Sequence, residues 1–519
     1  MSALTGTGTL TRLALRRDRL MLPLWTVVVG GMVASGSGSL KALYDTPAKR
    51  ADVAASMTAN SSMRSLYGPV FGDSTGALVA WRFATFAAVL AAVMSLIIVV
   101  RHTREEEETG RQEMLSAARV GRRAPLTAAL LTALVANAAV ALIITAGLSG
   151  EGVAGALALG LAVGGTGMVF ATMAAIVAQL TESARLAKGL TAAVLGLAFV
   201  LRAAGDAGDS RALTWLSPVG WAENVRAFAG ERWWVLPLMA GAVAVQGTVA
   251  YALAGRRDVG MGFLPARPGP ASGRIATAGG LAWRLQRGSL LGWTLGFLVA
   301  GVVFGGMVEG ASDLVGDNEQ ARQIFERMGG QSGLENAFLA AMVGLFGMVA
   351  ALYVVGSVLR LYGEETSQRA EPVLGCAVGR LRWAAGHLVI AFGGAALLMV
   401  AAGAGLTLSY GRDGGPVLGA ALAQLPAIWV LGGLAVLLHG AFPKAAVAAW
   451  GVAGLCLVLG WIGPALDLPQ AALDLSPYGH LPKLPGAEMS WTPVLLLAAL
   501  AAALVAGGLA GLRRRDVLT

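Results

Sequence analysis

Long apolar runs, separated by short polar segments, set the pattern of this chain. Each run holds about 18 residues or more, which is enough to cross the roughly 30 Å hydrocarbon core of a bilayer as a helix. In the first half the predicted spans cover residues 20–39, 76–100, 125–148, 153–180, a stretch ending near 200, and 235–253. In the second half they cover residues 289–308, 336–359, 384–408, 417–438, 445–463 and 492–511. The pattern predicts an all-α integral membrane protein of about twelve transmembrane helices.

Polar segments on the predicted outer side join some of these spans. Residues 41–75 form a predicted polar outer loop, and residues 203–234 a second outer segment. On the inner side, a short basic turn containing Arg185 and Lys188 is expected before the fifth span. That span and its counterpart at 445–463 are short, so a re-entrant or kinked helix is an alternative for both.

The two halves repeat their polar landmarks in the same order. Leu216-Ser-Pro-Val-Gly220 returns as Leu475-Ser-Pro-Tyr-Gly479, and Arg256-Arg-Asp-Val259 returns as Arg514-Arg-Asp-Val517. Ordered recurrence predicts a tandem duplication. Six spans return the chain to its starting side, so the repeats are expected to be parallel.

The predicted domains follow from this duplication. Residues 1–255 form the first six-span repeat, and residues 289–519 form the second. Between them, residues 256–288 are rich in Pro, Gly and Arg and lack apolar periodicity, which is typical of a cytoplasmic linker.

A basic, roughly amphipathic segment, Leu10–Arg19, precedes the first span and is predicted to lie on the inner membrane surface. Small residues at the end of that span also fit a signal peptide. The same pattern returns in the second half, where a removed signal would have no reason to recur. The recurring residues are Arg16, Arg19, Trp25 and Thr26, matched by Arg284, Arg287, Trp293 and Thr294.

Two charged blocks stand at equivalent places in the halves, Arg101–Arg123 and Glu364–Arg380. The aligned pairs are Arg111 with Arg369, Glu113 with Glu371, Val120 with Val378, Gly121 with Gly379 and Arg122 with Arg380. Glu105–Glu108 cannot enter lipid, where a single charge costs about 2.5–3.5 kcal/mol. The block must therefore face water or a partner protein.

A short amphipathic helix is predicted after these glutamates, because Met114, Leu115 and Ala118 share one helical face. A solvated loop that enforces only orientation is the alternative. It does not require Glu113 and Gly121 to be matched in the second copy.

Composition agrees with a membrane protein. The 519 residues are 56% hydrophobic and 13% charged, whereas soluble domains carry about 25% charged residues. The net charge of +9 lies at the ends of apolar segments rather than on one soluble domain, which argues against a nucleic-acid partner. The inner segments hold the excess of Lys and Arg, so both termini are predicted to be cytoplasmic in a bacterial plasma membrane.

The charged blocks resemble the first cytoplasmic loop of ABC-2 type exporter permeases, whose pattern is Glu-x-Gly-Thr-x-Glu-x-Leu-x-x-x-Pro-Val-x-Arg. The first block fits with Glu108, Gly110, Arg111, Glu113, Leu115, Val120 and Arg122, and the second with Glu365, Arg369, Glu371, Val373, Val378 and Arg380. In that family the loop is a coupling helix seated in a separate ATPase subunit. The resemblance therefore implies ATPase coupling by these segments, with Glu107 and Glu364 included.

The resemblance covers the whole chain. Ser217–Arg226 is similar to the family's Pro-to-Arg ending before the sixth span, and the double length resembles actinobacterial polyketide-antibiotic (tetronasin-type) permeases. It implies export of hydrophobic, antibiotic-like molecules. Departures include the missing proline before Val120, Ala370 and the early Pro372 in the second block, and no equivalent of Arg226 in the second half. Unequal docking of the halves is therefore expected.

No Gly-x-x-x-x-Gly-Lys-Ser/Thr sequence occurs, so this chain has no phosphate cradle of that kind and no predicted cofactor of its own. We expect no enzyme activity in this chain. ATP and Mg²⁺ are expected in the partner ATPase, two copies of which would dock per chain.

A proton-coupled secondary transporter of the major-facilitator kind is the alternative function, because such carriers also contain two six-span halves. They need ionisable residues deep in a span. Arg82 and Arg202 are instead predicted near the outer ends, where their side chains can snorkel. Residues expected along a substrate path are Trp81, Phe86, Met94, Phe297, Phe304, Phe346 and Tyr353.

Overall fold

The computed structural model describes residues 2–59, 61–116, 120–208, 211–264, 273, 275–308, 334–411, 414–461 and 470–516. The chain divides into two compact units, Met1–Pro268 (unit 1) and Gly269–Thr519 (unit 2). Both units are helical throughout their described parts, apart from connecting segments and one isolated bridge between Thr181 and Leu264.

In unit 1 the helices are α1 (Thr7–Arg17), α2 (Met21–Ala34), α3 (Gly36–Leu43), α4 (Pro47–Ala59), α5 (Ser61–Tyr67), α6 (Thr75–Arg101), α7 (Arg104–Glu108), α8 (Arg111–Ser116), α9 (Ala124–Leu148), α10 (Val153–Leu180), α11 (Ala184–Ala207), α12 (Arg211–Leu216), α13 (Pro218–Asn224) and α14 (Val235–Ala254). In unit 2 they are α15 (Ala278–Gly305), α16 (Leu334–Thr366), α17 (Glu371–Leu374), α18 (Arg380–Tyr410), α19 (Gly414–Ala423), α20 (Leu425–Ala441), α21 (Ala448–Trp461), α22 (Gln470–Leu473) and α23 (Trp491–Arg514).

Eleven helical segments in the described residues are long and apolar enough to cross a membrane. The predicted all-α membrane fold is therefore confirmed. The twelfth predicted span, 445–463, corresponds to the shorter helix α21, and residues 462–469 lie outside the described part of the chain. The predicted duplication and domain boundaries stay predictions, although the units divide inside the predicted linker.

Several local predictions were wrong. Residues 41–75 are largely helical, because α4 and α5 bury Met57 and Met63 instead of forming a polar loop. The basic turn with Arg185 and Lys188 is the first part of α11, which is longer than expected. The last part of the predicted linker, from Ala278 onward, belongs to α15.

The repeated Ser-Pro landmark starts a helix in both units. In unit 1 the Ser217 hydroxyl accepts hydrogen bonds from the backbone N–H groups of Val219 and Gly220, at 3.2 and 3.3 Å. Pro218 occupies the first helical position, where no N–H is needed. In unit 2 the same pair, Ser476 and Pro477, begins a 3-10 helix.

Glycines allow a close helix contact in unit 2, between α15 and α18. A Cβ placed on Gly301 would lie 2.5 Å from the carbonyl oxygen of Ala402 and 3.0 Å from the Cα atom of Gly405. Gly305 meets the backbone of Leu406 in the same way. Small residues let two backbones approach where lipid offers no hydrophobic drive for association.

Candidate coupling sites and a buried charge cluster

The four glutamates of the first block bind different elements of unit 1. Glu105 forms an ion pair with Lys188 of α11, and Glu106 forms one with Arg17 of α1. Glu108 accepts a hydrogen bond of 3.1 Å from the backbone N–H of Ala184, the first residue of α11. This short acidic helix, α7, therefore holds together segments that are distant in sequence.

Glu107 is the most highly connected of the four. Its carboxylate accepts two hydrogen bonds from Arg257, at 2.6 and 2.9 Å, one from Arg104 at 2.8 Å and one from the backbone N–H of Gly260 at 3.2 Å. Arg104 in turn donates to the carbonyl oxygen of Ala178 near the end of α10, at 2.6 and 3.0 Å. The carboxylate thus links α7, the end of α10 and the segment after α14.

Glu365 occupies the same place in unit 2. Arg515 donates to both of its carboxylate oxygens, at 2.9 and 2.8 Å, and the Nε2 atom of His439 lies 3.4 Å away. The Glu365 side chain is completely buried. It lies in the last turn of α16, so the second acidic block continues a membrane helix instead of forming a separate one.

The two sites share their spacing. Glu107 and Arg257 are 150 residues apart, as are Glu365 and Arg515. In each unit another arginine of the block donates to the backbone carbonyl oxygen of the arginine that pairs with the glutamate, across 135 residues. These donors are Arg122 in unit 1 and Arg380 in unit 2.

The units differ around this shared core. Glu364 interacts with Arg360 on its own helix, at 3.6 Å. Thr366 directly follows Glu365, so unit 2 has no counterpart of Glu108 and of its hydrogen bond to α11. Gly121 packs against the backbone of Ala3, whereas its counterpart Gly379 has open space where a Cβ would stand.

Only part of each block is open to a partner. In unit 1, Gly110 has a φ of 71°, which turns the chain from α7 into α8. The side chains of Arg111, Glu113 and Met114 on α8 are exposed. The side chain of Leu115 and all of residues 117–119, including Ala118, lie outside the described part of the chain.

In unit 2 the exposed residues of the block include Arg369, Glu371, Pro372 and Cys376. The carboxylates of Glu107 and Glu365 face cations of their own unit. Whether any of these residues couples to an ATPase stays a prediction.

The residues predicted to line a substrate path in unit 2 lie close together. Phe297 and Phe346 have ring centres 5.5 Å apart, and Phe304 lies 6.0 Å from Phe346. Trp293 connects Phe297 to Tyr353, with both ring distances at 6.1 Å. The four predicted residues therefore form one aromatic row, and Phe297, Phe346 and Tyr353 are buried within unit 2.

The residues predicted to line a substrate path in unit 1 do not form one group. Trp81 and Phe86 contact the Tyr67 ring on two sides, at 5.2 and 5.5 Å, and the Trp81 indole donates to the carbonyl oxygen of Gly68 at 2.9 Å. Met94 is completely buried farther along the same helix. Their role along a path stays a prediction.

A buried charge cluster lies at the other end of α11, about 27 Å from Ala184 at 1.5 Å of rise per residue. Arg202 is fully buried, with Asp206 at 3.2 Å and Glu223 at 3.6 Å. It also donates to the carbonyl oxygens of Ser65 and Leu66, at 2.8 and 3.0 Å. The expectation that Arg202 snorkels to water was therefore wrong, because α5 and α13 cover it.

Burial controls the protonation of this cluster. It raises the pKa of the Glu223 carboxyl group well above its ordinary value, and the nearby positive charge of Arg202 opposes the shift without cancelling it. Glu223 lies on α13, outside the membrane-spanning helices.

The sequence alone did not predict the ion-pair partners of the block glutamates or of Arg202. The repeated Arg-Arg-Asp-Val quartet contains Arg257 and Arg515, so its recurrence was a usable signal. The spacing of Arg202 and Asp206, four apart on one helix, was a second signal. For Lys188 and Arg104 the sequence contains no signal of their pairing beyond their charge.

Comparison with known proteins places the chain in a family. Residues 275–513 match the family described as the C-terminal domain of the multidrug efflux system permease Rv1217c. The whole chain is similar to the multidrug efflux system permease protein Rv1217c of Mycobacterium tuberculosis. The two are 44% identical over 528 residues, which cover 99% of this chain and 96% of the relative. This chain belongs to the Rv1217c family of multidrug efflux permeases.

Proposed function

We propose that this permease is the translocation subunit of an ATP-driven exporter of the ABC-2 type, related to the tetronasin-type permeases. Two copies of a separate ATPase subunit dock on the charged blocks at the cytoplasmic side and supply ATP and Mg²⁺. The observation that carries the proposal is the buried Glu–Arg pair behind each block, repeated with the same sequence spacing in both units.

The pairs give the blocks a mechanical connection to the spans. In unit 1, movement of the exposed α8 would act on α7, where Glu107 is fixed to Arg257 and Glu108 to the start of α11. In unit 2, Glu365 lies on the span itself, so movement of α17 would act on α16 directly. A buried ion pair suits this role, because separating its charges is costly.

The proposed cargo is a hydrophobic drug-like molecule, in keeping with the similarity of this chain to the multidrug efflux system permease protein Rv1217c. The aromatic row of Phe297, Phe304, Phe346 and Tyr353 offers an apolar surface for such a molecule once the helices move. We place both termini in the cytoplasm from the distribution of basic residues.

A proton-coupled carrier is the second candidate. The buried Arg202–Asp206–Glu223 cluster favours it, because a carboxyl group with a raised pKa can accept and release a proton. No matching cluster lies in the described part of unit 2, whereas the Glu–Arg pairs occur in both units. The ATP-driven reading therefore accounts for more of the repeated structure.

The natural thiol of Cys376 allows a direct test, since Cys376 is exposed in the second block and Cys456 is buried. Benzophenone maleimide attached to Cys376 should crosslink, in bacterial membranes, to a soluble polypeptide that contains a nucleotide-binding motif. Purification in mild detergent should yield two such subunits per permease.

The matched control carries Cys376→Ala together with Ser39→Cys, which moves the exposed thiol to the predicted outer side. This variant should give no crosslink to the ATPase. Export that follows an imposed proton gradient, with no ATPase captured from Cys376, would support the second candidate instead.

A further inference from the structure

A cavity of about 440 Å³ lies in unit 1 next to the buried charge cluster. Its charged lining consists of Arg64, Arg211, Arg226, Arg232, Asp206 and Glu223. Four guanidinium groups thus share one cavity with two carboxyl groups. The cavity is large enough for a small organic molecule.

The two carboxyl groups do not pair with Arg211, Arg226 or Arg232. Asp206 and Glu223 form ion pairs with Arg202, at 3.2 and 3.6 Å. Among the described residues, no carboxylate oxygen lies within 4.0 Å of the guanidinium nitrogens of Arg211 or Arg232, and the same holds for Arg226. The cavity therefore has an excess of positive charge.

Arg226 shows this excess most clearly. Its Nε atom is buried and has no hydrogen-bond partner within the described part of unit 1. Burial lowers the pKa of Arg226, and the charges of Arg232 and Arg211 lower it further. The positive charges of these three arginines repel one another, so an anionic group placed among them would be stabilised.

The backbone holds Arg226 in an unusual conformation. Its φ is 53°, a value that non-glycine residues seldom adopt, and its N–H donates to the carbonyl oxygen of Glu223 at 3.0 Å. The guanidinium carbon lies 4.4 Å from the centre of the Phe71 ring. Backbone strain of this kind is often found at functional positions.

One side of the cavity is aromatic. Trp215 lines it and stacks on Trp234, with ring centres 5.1 Å apart. Trp233 and Trp234 are both exposed at the start of α14. Exposed tryptophans at the end of a membrane helix are typical of the interface between lipid and water. An apolar group leaving the cavity would therefore meet an aromatic surface.

We propose that this cavity binds an amphiphilic oxyanion, with a carboxylate or phosphate group among Arg211, Arg226 and Arg232 and an apolar body along Trp215 and Trp234. The oxyanion accepts hydrogen bonds from the guanidinium groups, whose forked donors match both carboxylate and phosphate groups. The site does not depend on ATPase docking, so it stands or falls separately from the proposed function.

Isothermal titration of the purified full chain with dodecyl phosphate, in dodecyl maltoside micelles, tests the site. Arg226→Gln and Arg211→Gln should each weaken binding about tenfold, the effect of losing one charge-assisted hydrogen bond. Arg211 is exposed, so its replacement keeps the fold even if Arg226→Gln disturbs it. Lys49→Gln removes an exposed cation outside the cavity and should leave binding unchanged.

The source of the oxyanion is distinguished in nanodiscs. If the natural ligand is an acidic lipid, phosphatidylglycerol nanodiscs should weaken dodecyl phosphate binding relative to phosphatidylcholine nanodiscs. If it is a soluble amphiphile, the two should agree. Wild-type affinity in both arginine variants, or equal losses in Lys49→Gln, would overturn the proposal.

Discussion

Glu107 and Arg257 are joined by two hydrogen bonds across 150 residues of chain, and Glu365 and Arg515 are joined across the same separation in the other unit. In unit 1 two guanidinium nitrogens of Arg257 donate to different carboxylate oxygens, whereas in unit 2 Nη2 of Arg515 donates to both oxygens of Glu365. The recurrence of the pair at the same sequence spacing supports a shared origin for the two units. It also indicates that the charged blocks are tied to the ends of the last helix of each unit, α14 and α23.

The first prediction concerns these pairs. Glu107→Gln and Glu365→Gln should each destabilise the protein by about 3–5 kcal/mol, because the substitution leaves a largely buried arginine without its charged partner. The measurement is the thermal unfolding temperature in detergent. A double replacement, Glu365→Gln with Arg515→Gln, should recover part of the loss, since neither residue then leaves an unpaired charge.

Glu371→Gln is the control for charge removal, because Glu371 is exposed in the equivalent block. Its effect should stay within about 0.5 kcal/mol. Equal unfolding temperatures for Glu365→Gln and Glu371→Gln would show that the buried pair contributes nothing specific.

The second prediction uses the difference between matched glycines. Gly121→Ala should displace the N-terminal segment, because a Cβ there would overlap the backbone of Ala3 and disturb the hydrogen bond of 2.9 Å from Gly121 to Thr5. Gly379→Ala should have little effect, since nothing lies within 4 Å of its Cβ position. Limited proteolysis of residues 2–10 measures the release, and equal cleavage in both variants would contradict the packing.

The third prediction concerns the α15–α18 contact. Gly301→Val should destabilise the protein by about 1–3 kcal/mol through overpacking against Ala402 and Gly405. Gly296→Val, on the same helix but with open space around it, is the matched control and should be close to neutral. The two unfolding temperatures are compared in one detergent, and a loss of similar size in both would refute the close approach.

How much was predictable from sequence depends on the range of the interaction. The spans 125–148 and 153–180 coincide with α9 and α10 within one residue, because apolar runs of that length report the bilayer directly. The repeated glutamates and arginines of the blocks were predicted from sequence to couple to an ATPase, and that role stays a prediction. The pairing of these glutamates with distant arginines was not predicted, since the sequence alone does not show which arginine contacts which carboxylate.

The wrong predictions for Arg202 and for residues 41–75 have the same cause, which is contacts between segments that are distant in sequence. Arg202 is buried because Ser65, Leu66 and Glu223 surround it, and these lie far from it in sequence. The helix α5 carries little apolar periodicity of its own, but Arg64 donates to the carbonyl oxygen of Ala207 at 3.2 Å and fixes it against α11. Contacts of this kind are not visible in the sequence of residues 61–67.

The last prediction is a pH dependence at Glu223. Its pKa is raised above the ordinary value of 4.5, so between 4.5 and the raised value the folded state holds a proton that the unfolded state has released. The free energy of unfolding should therefore fall as the pH rises through this window, by at most about 1.4 kcal/mol per pH unit.

Glu223→Gln has no proton to lose, so it should gain stability relative to wild type as the pH rises from 5 to 8 and show the smallest difference at pH 5. Unfolding temperatures in detergent at several pH values measure this. Glu488→Gln, which alters an exposed carboxyl group, should track wild type throughout. A constant offset between Glu223→Gln and wild type would mean that Arg202 keeps Glu223 ionised, and the buried cluster would then be a fixed charge network with no proton to exchange.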